Sequence, residues 1–439
     1  MNNGKILICI FLIVLSALPL ASCGNEINST WVPNDLKASP SSDSLNIEKV
    51  ENITDDFILG MDASCVPALE ASSVKYYDFD GKEKDVYQIL SENGINYIRV
   101  RIWNDPFDSS GNGYGGGNCD VENAIVIGKR ATKYKMKLLV NFHYSDFWAD
   151  PSKQMTPKAW QGMNIDEKAE ALYKYTKECL ERLVEAGVDV GMVQIGNETN
   201  GAMAGESSSS LGGWRNIALL MNAGSRAVRE VCPNALVAVH FTNPEKLNSY
   251  EGYGKNLDYY GVDYDVFASS YYPYWHGTLD NLSTVLSSIA DTYGKRVMIA
   301  ETSYAHTTKD SDFYGNTVGV GSKVVKGYPF TVEGQAKLLR DVIDCAVNKI
   351  KNCIGVFYWE GTWISVGGDS YEENRVKWEK YGSGWASSYA SEYDPDDAGK
   401  WYGGCAVDNQ AFFDENGKAI ESLKAFAFVK KGNTVENKK

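Results

Sequence analysis

Residues 190–199 read VGMVQIGNET, an apolar run of strand length that closes on an amide and a carboxylate, Asn197 and Glu198. A near-continuous apolar run marks a strand buried on both faces, as in parallel α/β proteins. The same layout returns at 296–304, RVMIAETSY, where Glu301 closes the run. Six more such runs surround these two: 57–64 (FILGMDAS), 95–103 (INYIRVRIW), 137–147 (KLLVNFHYSDF), 235–243 (ALVAVHFTN), 265–273 (DVFASSYYP) and 354–361 (IGVFYWEG). Polar loops and stretches with apolar positions three and four apart separate most of them. The clearest helix is 166–186, with Ala169, Leu172, Tyr173, Tyr175, Leu180, Leu183 and Val184 on its apolar side and Gly187 at its C-terminal cap. The stretch after the fifth strand has the weakest helical pattern. Eight βα units predict an α/β fold, a (β/α)8 TIM barrel with enlarged βα loops. An open doubly wound sheet would want GxGxxG directly after its first strand. The Gly-rich stretch here, 111–117, follows the second strand and reads as a long loop.

The chain of 439 residues is 44% hydrophobic, with 11 Trp and 27 Tyr, enough for one large core. Its net charge of −14 is spread along the chain with no basic stripe, which excludes a nucleic-acid partner and favours a neutral ligand. Sugars fit, because pyranose C–H faces stack on aromatic rings. A monomer is expected.

At the N-terminus, Lys5 precedes an apolar run over 6–20, too short to span a membrane and laid out as a secretory signal. It closes on Leu20-Ala21-Ser22-Cys23-Gly24, which resembles a bacterial lipobox. The expected organisation is a lipoprotein signal peptide over 1–22, a lipid anchor on Cys23, a flexible tether over 23–55, a catalytic barrel over 56–432 and a disordered tail over 433–439. This puts the protein at the cell envelope, held to a membrane by its lipid: the outer membrane, the cell surface or the periplasmic face. Of nine cysteines, Cys9 and Cys23 belong to signal and anchor. The other seven lack any CxxC spacing, so zinc and redox motifs are not expected and most should be buried thiols.

In a barrel the C-terminal strand ends converge on one rim, where barrel enzymes carry their chemistry. Glu198 and Glu301 both arrive there. Either alone could be a salt-bridged structural group; together they form a pair. Glycosidic hydrolysis needs one carboxyl group to protonate the departing oxygen and a second to attack or to activate water. Arg99 and Arg101 lie two apart on one strand, hence on one face, and at least one of them could hold a nucleophile ionised. A plain barrel ion pair is the alternative.

The Asn-Glu end of strand four with the Glu end of strand seven is similar to the pattern of the large clan of retaining barrel glycosidases. The ordered set RIWNDP (101–106), GNGYGGG (111–117), NFHYSDFWAD (141–150), GNETN (196–200) and AETSY (300–304) resembles, over about 57–429, the family 53 endo-β-1,4-galactanases. The resemblance implies that Glu198 is the acid/base, Glu301 the nucleophile and Asn197 a hydrogen-bond partner of the sugar 2-hydroxyl, with net retention of configuration. Tyr271 and Tyr272 face opposite ways, and Tyr272 is taken as the one aimed at the nucleophile. His143 and Asp146, at the end of strand three, and Arg101 are candidate substrate contacts; a core histidine bonded to backbone is the other reading of His143. Trp103, Trp148, Trp275, Trp359 and Trp363 are candidate sugar platforms, with Trp359 under the attacked sugar.

Asp310-Ser311-Asp312-Phe313-Tyr314-Gly315-Asn316 alternates oxygen side chains like the start of a calcium loop, without the closing Glu of an EF-hand. In the resembled family, bacterial members tie the last two loops together with Ca2+ through a similar stretch and a later Ser-x-x-Asp. Ser391 to Asp394 has that spacing, so Asp310, Asp312, Asn316, Ser391 and Asp394 are the expected ligands, with Tyr314 standing where a histidine is expected. The function expected is endo-hydrolysis of β-1,4-galactan or arabinogalactan side chains of pectin. A mannanase or cellulase of the same clan, or a glycan-binding lipoprotein without activity, are the alternatives. A two-lobed solute-capture protein does not suit eight consecutive βα units.

Overall fold

A computed structural model describes residues 45–434. Eight strands close a parallel barrel: β1 (Ile58–Asp62), β2 (Tyr97–Ile102), β3 (Lys137–Phe142), β4 (Val190–Ile195), β5 (Leu236–Phe241), β6 (Val266–Ser270), β7 (Arg296–Thr302) and β8 (Cys353–Tyr358). Each strand pairs with its neighbours in sequence, and β8 returns to β1. The eight expected strands are all present. Their expected C-terminal extensions are not strand: the chain turns there, and Tyr144, Glu198 and Glu360 take up positive φ of 50°, 45° and 50° just beyond β3, β4 and β8.

Inside the barrel, Ile58, Leu139, Met192, Ala238, Val266, Ala268, Met298, Ala300 and Phe357 form an apolar layer. Gly60 is required in it, since a Cβ there would stand 2.1 Å from the Phe357 ring. The larger core lies between strands and helices. The helix Ile165–Glu185 shows why: its apolar face is buried, and Asn164 and Glu167 close its N-terminus with a capping box. After β5 the weakly patterned stretch does form a helix, Ser249–Tyr259.

The signal, Cys23 and the tether up to residue 44 lie outside the described residues, as do residues 435–439. Residues 45–55, expected in the tether, instead join the fold. Leu45, Ile47 and Val50 are buried, Ile47 bridges Asn433 in antiparallel fashion, and Val50 N–H donates to the Val429 carbonyl at 2.8 Å. Three apolar side chains within six residues gain more by covering the C-terminal helix Ala425–Lys431 than by staying in water. The same bridge draws Asn433 out of the expected tail. The seven cysteines from Cys65 onward are free thiols, buried except for the half-buried Cys353.

Candidate active site

Towards the C-terminal strand ends the inward positions turn polar: Asp62 on β1, Arg99 and Arg101 on β2, Asn141 on β3, Gln194 on β4, His240 on β5 and Ser270 on β6, all buried. Glu301 joins them through an irregularity. Period-two alternation after Met298 and Ala300 would turn Glu301 away from the barrel axis. Strand β7 carries one extra residue here: Ser269 pairs with Ile299 but Ser270 with Glu301, and on the other side Val356 pairs with Ile299 but Tyr358 with Thr302. This bulge aims the Glu301 carboxylate into the barrel mouth.

Glu301 is surrounded by donors. Arg99 Nη2 stands 2.8 Å from its Oε1, and the Tyr272 hydroxyl donates to its Oε2 at 2.9 Å. Arg99 is itself locked by Asp62 (3.1 Å), Gln194 (3.2 Å) and Asn197 (3.0 Å). Among the described residues no cation pairs with Glu198. Its Oε1 lies 2.6 Å from Ser270 Oγ, and burial first, then the charge of Glu301, pushes its carboxyl up to about 8. Ser270 Oγ also lies 3.4 Å from Glu301 Oε2, so these two carboxylate oxygens are no more than about 6 Å apart. That upper bound is short of the roughly 6.5–9.5 Å of inverting enzymes and admits the roughly 5–5.5 Å of retaining ones.

Asn197 lies under the pair, its Oδ1 accepting from Arg99 and from Asn141 (3.1 Å) and its Nδ2 donating to the Ala149 carbonyl at 2.9 Å. Two residues beside the pair escape a reading of strand ends. His240 Nδ1 accepts from the Glu198 backbone N–H at 3.2 Å, and its Nε2 lies 2.9 Å from Ser270 Oγ. The available signal was a histidine and a serine at inward positions of otherwise apolar strands.

Several expected substrate contacts serve the scaffold. Arg99, not Arg101, reaches Glu301. Arg101 is 1% exposed, ion-paired with Glu360, bonded to the Gly116 carbonyl at 2.7 Å and covered by the Trp148 ring at 4.3 Å. Gly116 permits that cover, because a Cβ there would stand 3.0 Å from Trp148 and 2.7 Å from Trp103. Trp103 is fully buried, its Nε1–H donating to His143 Nδ1 at 3.1 Å. Trp363 is buried with Nε1–H on the Ser383 carbonyl at 3.0 Å. Neither ring offers a face to sugar. Asp146 is also buried, accepting from the backbone N–H of Asp105 (3.0 Å) and Lys158 (2.6 Å), so it fastens two loops. His143 follows the core reading: its Nδ1 also accepts from Ala149 N–H at 3.2 Å, and burial beside Arg101 and Arg99 holds it neutral.

The rings left to line a cleft are Trp148, Trp359, Tyr272 and Trp275, successive neighbours with centroids 6.4, 6.5 and 5.8 Å apart. Trp275 is the outermost at 40% exposure.

A second acidic group lies on the loops after β7 and β8. One carboxylate oxygen each from Asp310, Asp312 and Asp408 lie within 4.8 Å of one another. Asn316 joins them, its Nδ2 donating to Asp408 Oδ1 at 2.6 Å while its buried Oδ1 has no partner among the described residues. Burial and the charge of Asp408 hold the Asp312 carboxyl well above its ordinary range. Asp394 is elsewhere, ion-paired to Lys153 (2.5 Å), and Ser391 sits in the short helical turn Ser388–Glu392 beside it. The Ser-x-x-Asp expectation is thus corrected: the same spacing at Cys405 to Asp408 delivers the third carboxylate. The Tyr314 hydroxyl, where a histidine was expected, is engaged away from the cluster, accepting from Trp385 Nε1–H at 2.6 Å. The donor set, three carboxylates and a free amide oxygen, suits a hard divalent cation.

The sequence is 55% identical over 393 residues to an endo-beta-1,4-galactanase of Bacillus subtilis (strain 168), covering 89% of this chain and 90% of that protein. It is 32% identical over 383 residues to an arabinogalactan endo-beta-1,4-galactanase of Cellvibrio japonicus (strain Ueda107), covering 85% and 90%. Among solved structures, the GH53 catalytic domain of Ignisphaera aggregans matches with a TM-score of 0.77 at 38% identity, over 87% of this chain and 99% of that one. The model of glycosyl hydrolase family 53 matches residues 58–426, and with the barrel and its carboxylate pair in place the chain belongs to that family.

Proposed function

We propose that the protein is a retaining endo-β-1,4-galactanase in which Glu301 attacks and Glu198 is acid and base. The observation that carries this is the asymmetry of two identical residues sharing one serine. Glu301 faces a guanidinium and a phenol, two donors that fix its carboxylate oxygens for attack. Glu198, buried without a cation, keeps its proton to about pH 8 and can give it to the departing oxygen. Attack of Glu301 on the anomeric carbon leaves a galactosyl ester. Glu198, now a carboxylate, takes a proton from water as it displaces Glu301, restoring both groups. Trp359 and Tyr272 stand beside Glu301 to stack the attacked sugar, and Trp275 extends the stack outward. The relatives named for galactanase activity supply the substrate. A panel of galactan, mannan and cellulose tests it: reducing ends released from galactan alone support the reading, and preference for mannan or cellulose, or binding without release, contradicts it.

Asp310, Asp312, Asp408 and Asn316 Oδ1 would hold Ca2+, which when bound neutralises the carboxylates and ties the two loops together. Export and a lipid on Cys23 complete the reading, supported by the lipobox-like Leu20-Ala21-Ser22-Cys23. Labelled palmitate should mark the wild-type protein in a bacterial host and leave Cys23→Ser unmarked; equal labelling would contradict the anchor.

A further inference from the structure

We propose that Ser270 and His240 form a positioning relay, in which one hydroxyl hydrogen donates to whichever of Glu301 and Glu198 carries the negative charge at each stage of turnover. This rests on the roles given above to the pair. The relay is fixed at one end. The Glu198 backbone N–H points its fixed hydrogen at His240 Nδ1 across 3.2 Å, with Gln194 Nε2 at 3.0 Å; Asn197 Oδ1, also 3.2 Å away, already accepts from Arg99 and Asn141, so Nδ1 is an acceptor and carries no proton. Burial, with Arg99 and His143 nearby, holds the ring neutral, which leaves the single proton on Nε2. Nε2–H therefore donates to Ser270 Oγ at 2.9 Å.

With that lone pair occupied, the hydroxyl has one hydrogen and two acceptors, Glu198 Oε1 at 2.6 Å and Glu301 Oε2 at 3.4 Å. Before attack, Glu198 is a neutral acid and Glu301 the anion. In the covalent intermediate Glu301 is a neutral ester and Glu198 the anion. A rotation of the hydroxyl follows the charge, and no proton leaves Ser270 or His240. The other groups facing the pair do not follow it in this way: Arg99 and Tyr272 bond Glu301 alone, the Thr242 side chain hydrogen-bonds Glu198 alone, and Asp150 and Tyr250 add only their proximity to Glu198.

Carbon-13 titration of the Glu198 carboxyl, assigned through Glu198→Gln, tests the relay without any substrate. In Ser270→Ala the anionic form of Glu198 loses its short donor, so its titration moves up by about one pH unit, and the basic limb of kcat/KM on galactan moves with it. Ser270→Thr keeps the hydroxyl and the wild-type midpoint. Nitrogen-15 shifts of His240 should report a neutral ring protonated at Nε2. An unmoved Glu198 midpoint in folded Ser270→Ala, or a His240 protonated at Nδ1, overturns the relay. A wild-type protein inert on galactan, with the carboxyl shift present, would count against the substrate reading and for the relay.

Discussion

Two acidic centres occupy the same end of the barrel, one carried by strands and one by loops, and they differ in how their charge is met. At the strand-borne centre, Arg99, Tyr272 and Ser270 surround Glu301 while Glu198 has a serine and no cation. Fixed donors thereby set two identical side chains in unlike surroundings. At the loop-borne centre, Asp310, Asp312 and Asp408 accept mainly from backbone N–H groups, among them those of Phe313, Tyr314 and Ser311, and none forms an ion pair among the described residues. The first centre is complete without help. The second holds three carboxylates whose charge the protein itself leaves uncompensated, the condition that a bound cation relieves.

Breaking the strand-borne centre should have the largest effect. Glu301→Ala should lower kcat by about 10⁴-fold or more while leaving galactan binding intact, measured by reducing-end release and by affinity electrophoresis. Glu198→Ala should cost about 10²–10⁴-fold and, on galactan, should remove the basic limb near pH 8. The sign follows from the role: a group that must be protonated to act loses activity as pH rises through its midpoint. A variant that keeps the limb would show that another group sets it.

The loop-borne centre should yield to chelation rather than to pH. EDTA should lower the melting temperature by a few degrees, on the order of 2 kcal/mol, and Ca2+ should restore it. Asp408→Ala should abolish that response, whereas Asp394→Ala should keep it, which separates the observed cluster from the Ser391–Asp394 alternative. The smallest effect belongs to the outermost ring. Trp275→Ala should raise KM by up to about tenfold with kcat little changed, since one stacking contact is worth about 0.5–1.5 kcal/mol.

How much of this was legible in the sequence depended on whether a residue's neighbours in space were also its neighbours in pattern. Eight apolar runs fixed the barrel, and their polar ends pointed to Glu198, Glu301 and Tyr272. Arg99 and Arg101 share a face, so spacing could not tell which meets Glu301; the answer lies in Asp62, Glu360 and the Gly-rich loop that claim them. Trp103 and Trp363 lie at or just past strand ends like the rings that line the cleft, but both are buried. The bulge that aims Glu301 leaves no mark in RVMIAETSY. His240 and Ser270 were hidden because they lie within strands and matter only through each other. Asp394 carried the right spacing in the wrong loop, since Lys153 takes its carboxylate.

The stereochemistry of the first product tests the central pair most directly. Proton NMR during the opening minutes of galactan digestion should show the β-anomer at the new reducing end before mutarotation. The α-anomer appearing first would mean inversion, and Glu301 would then not be the nucleophile.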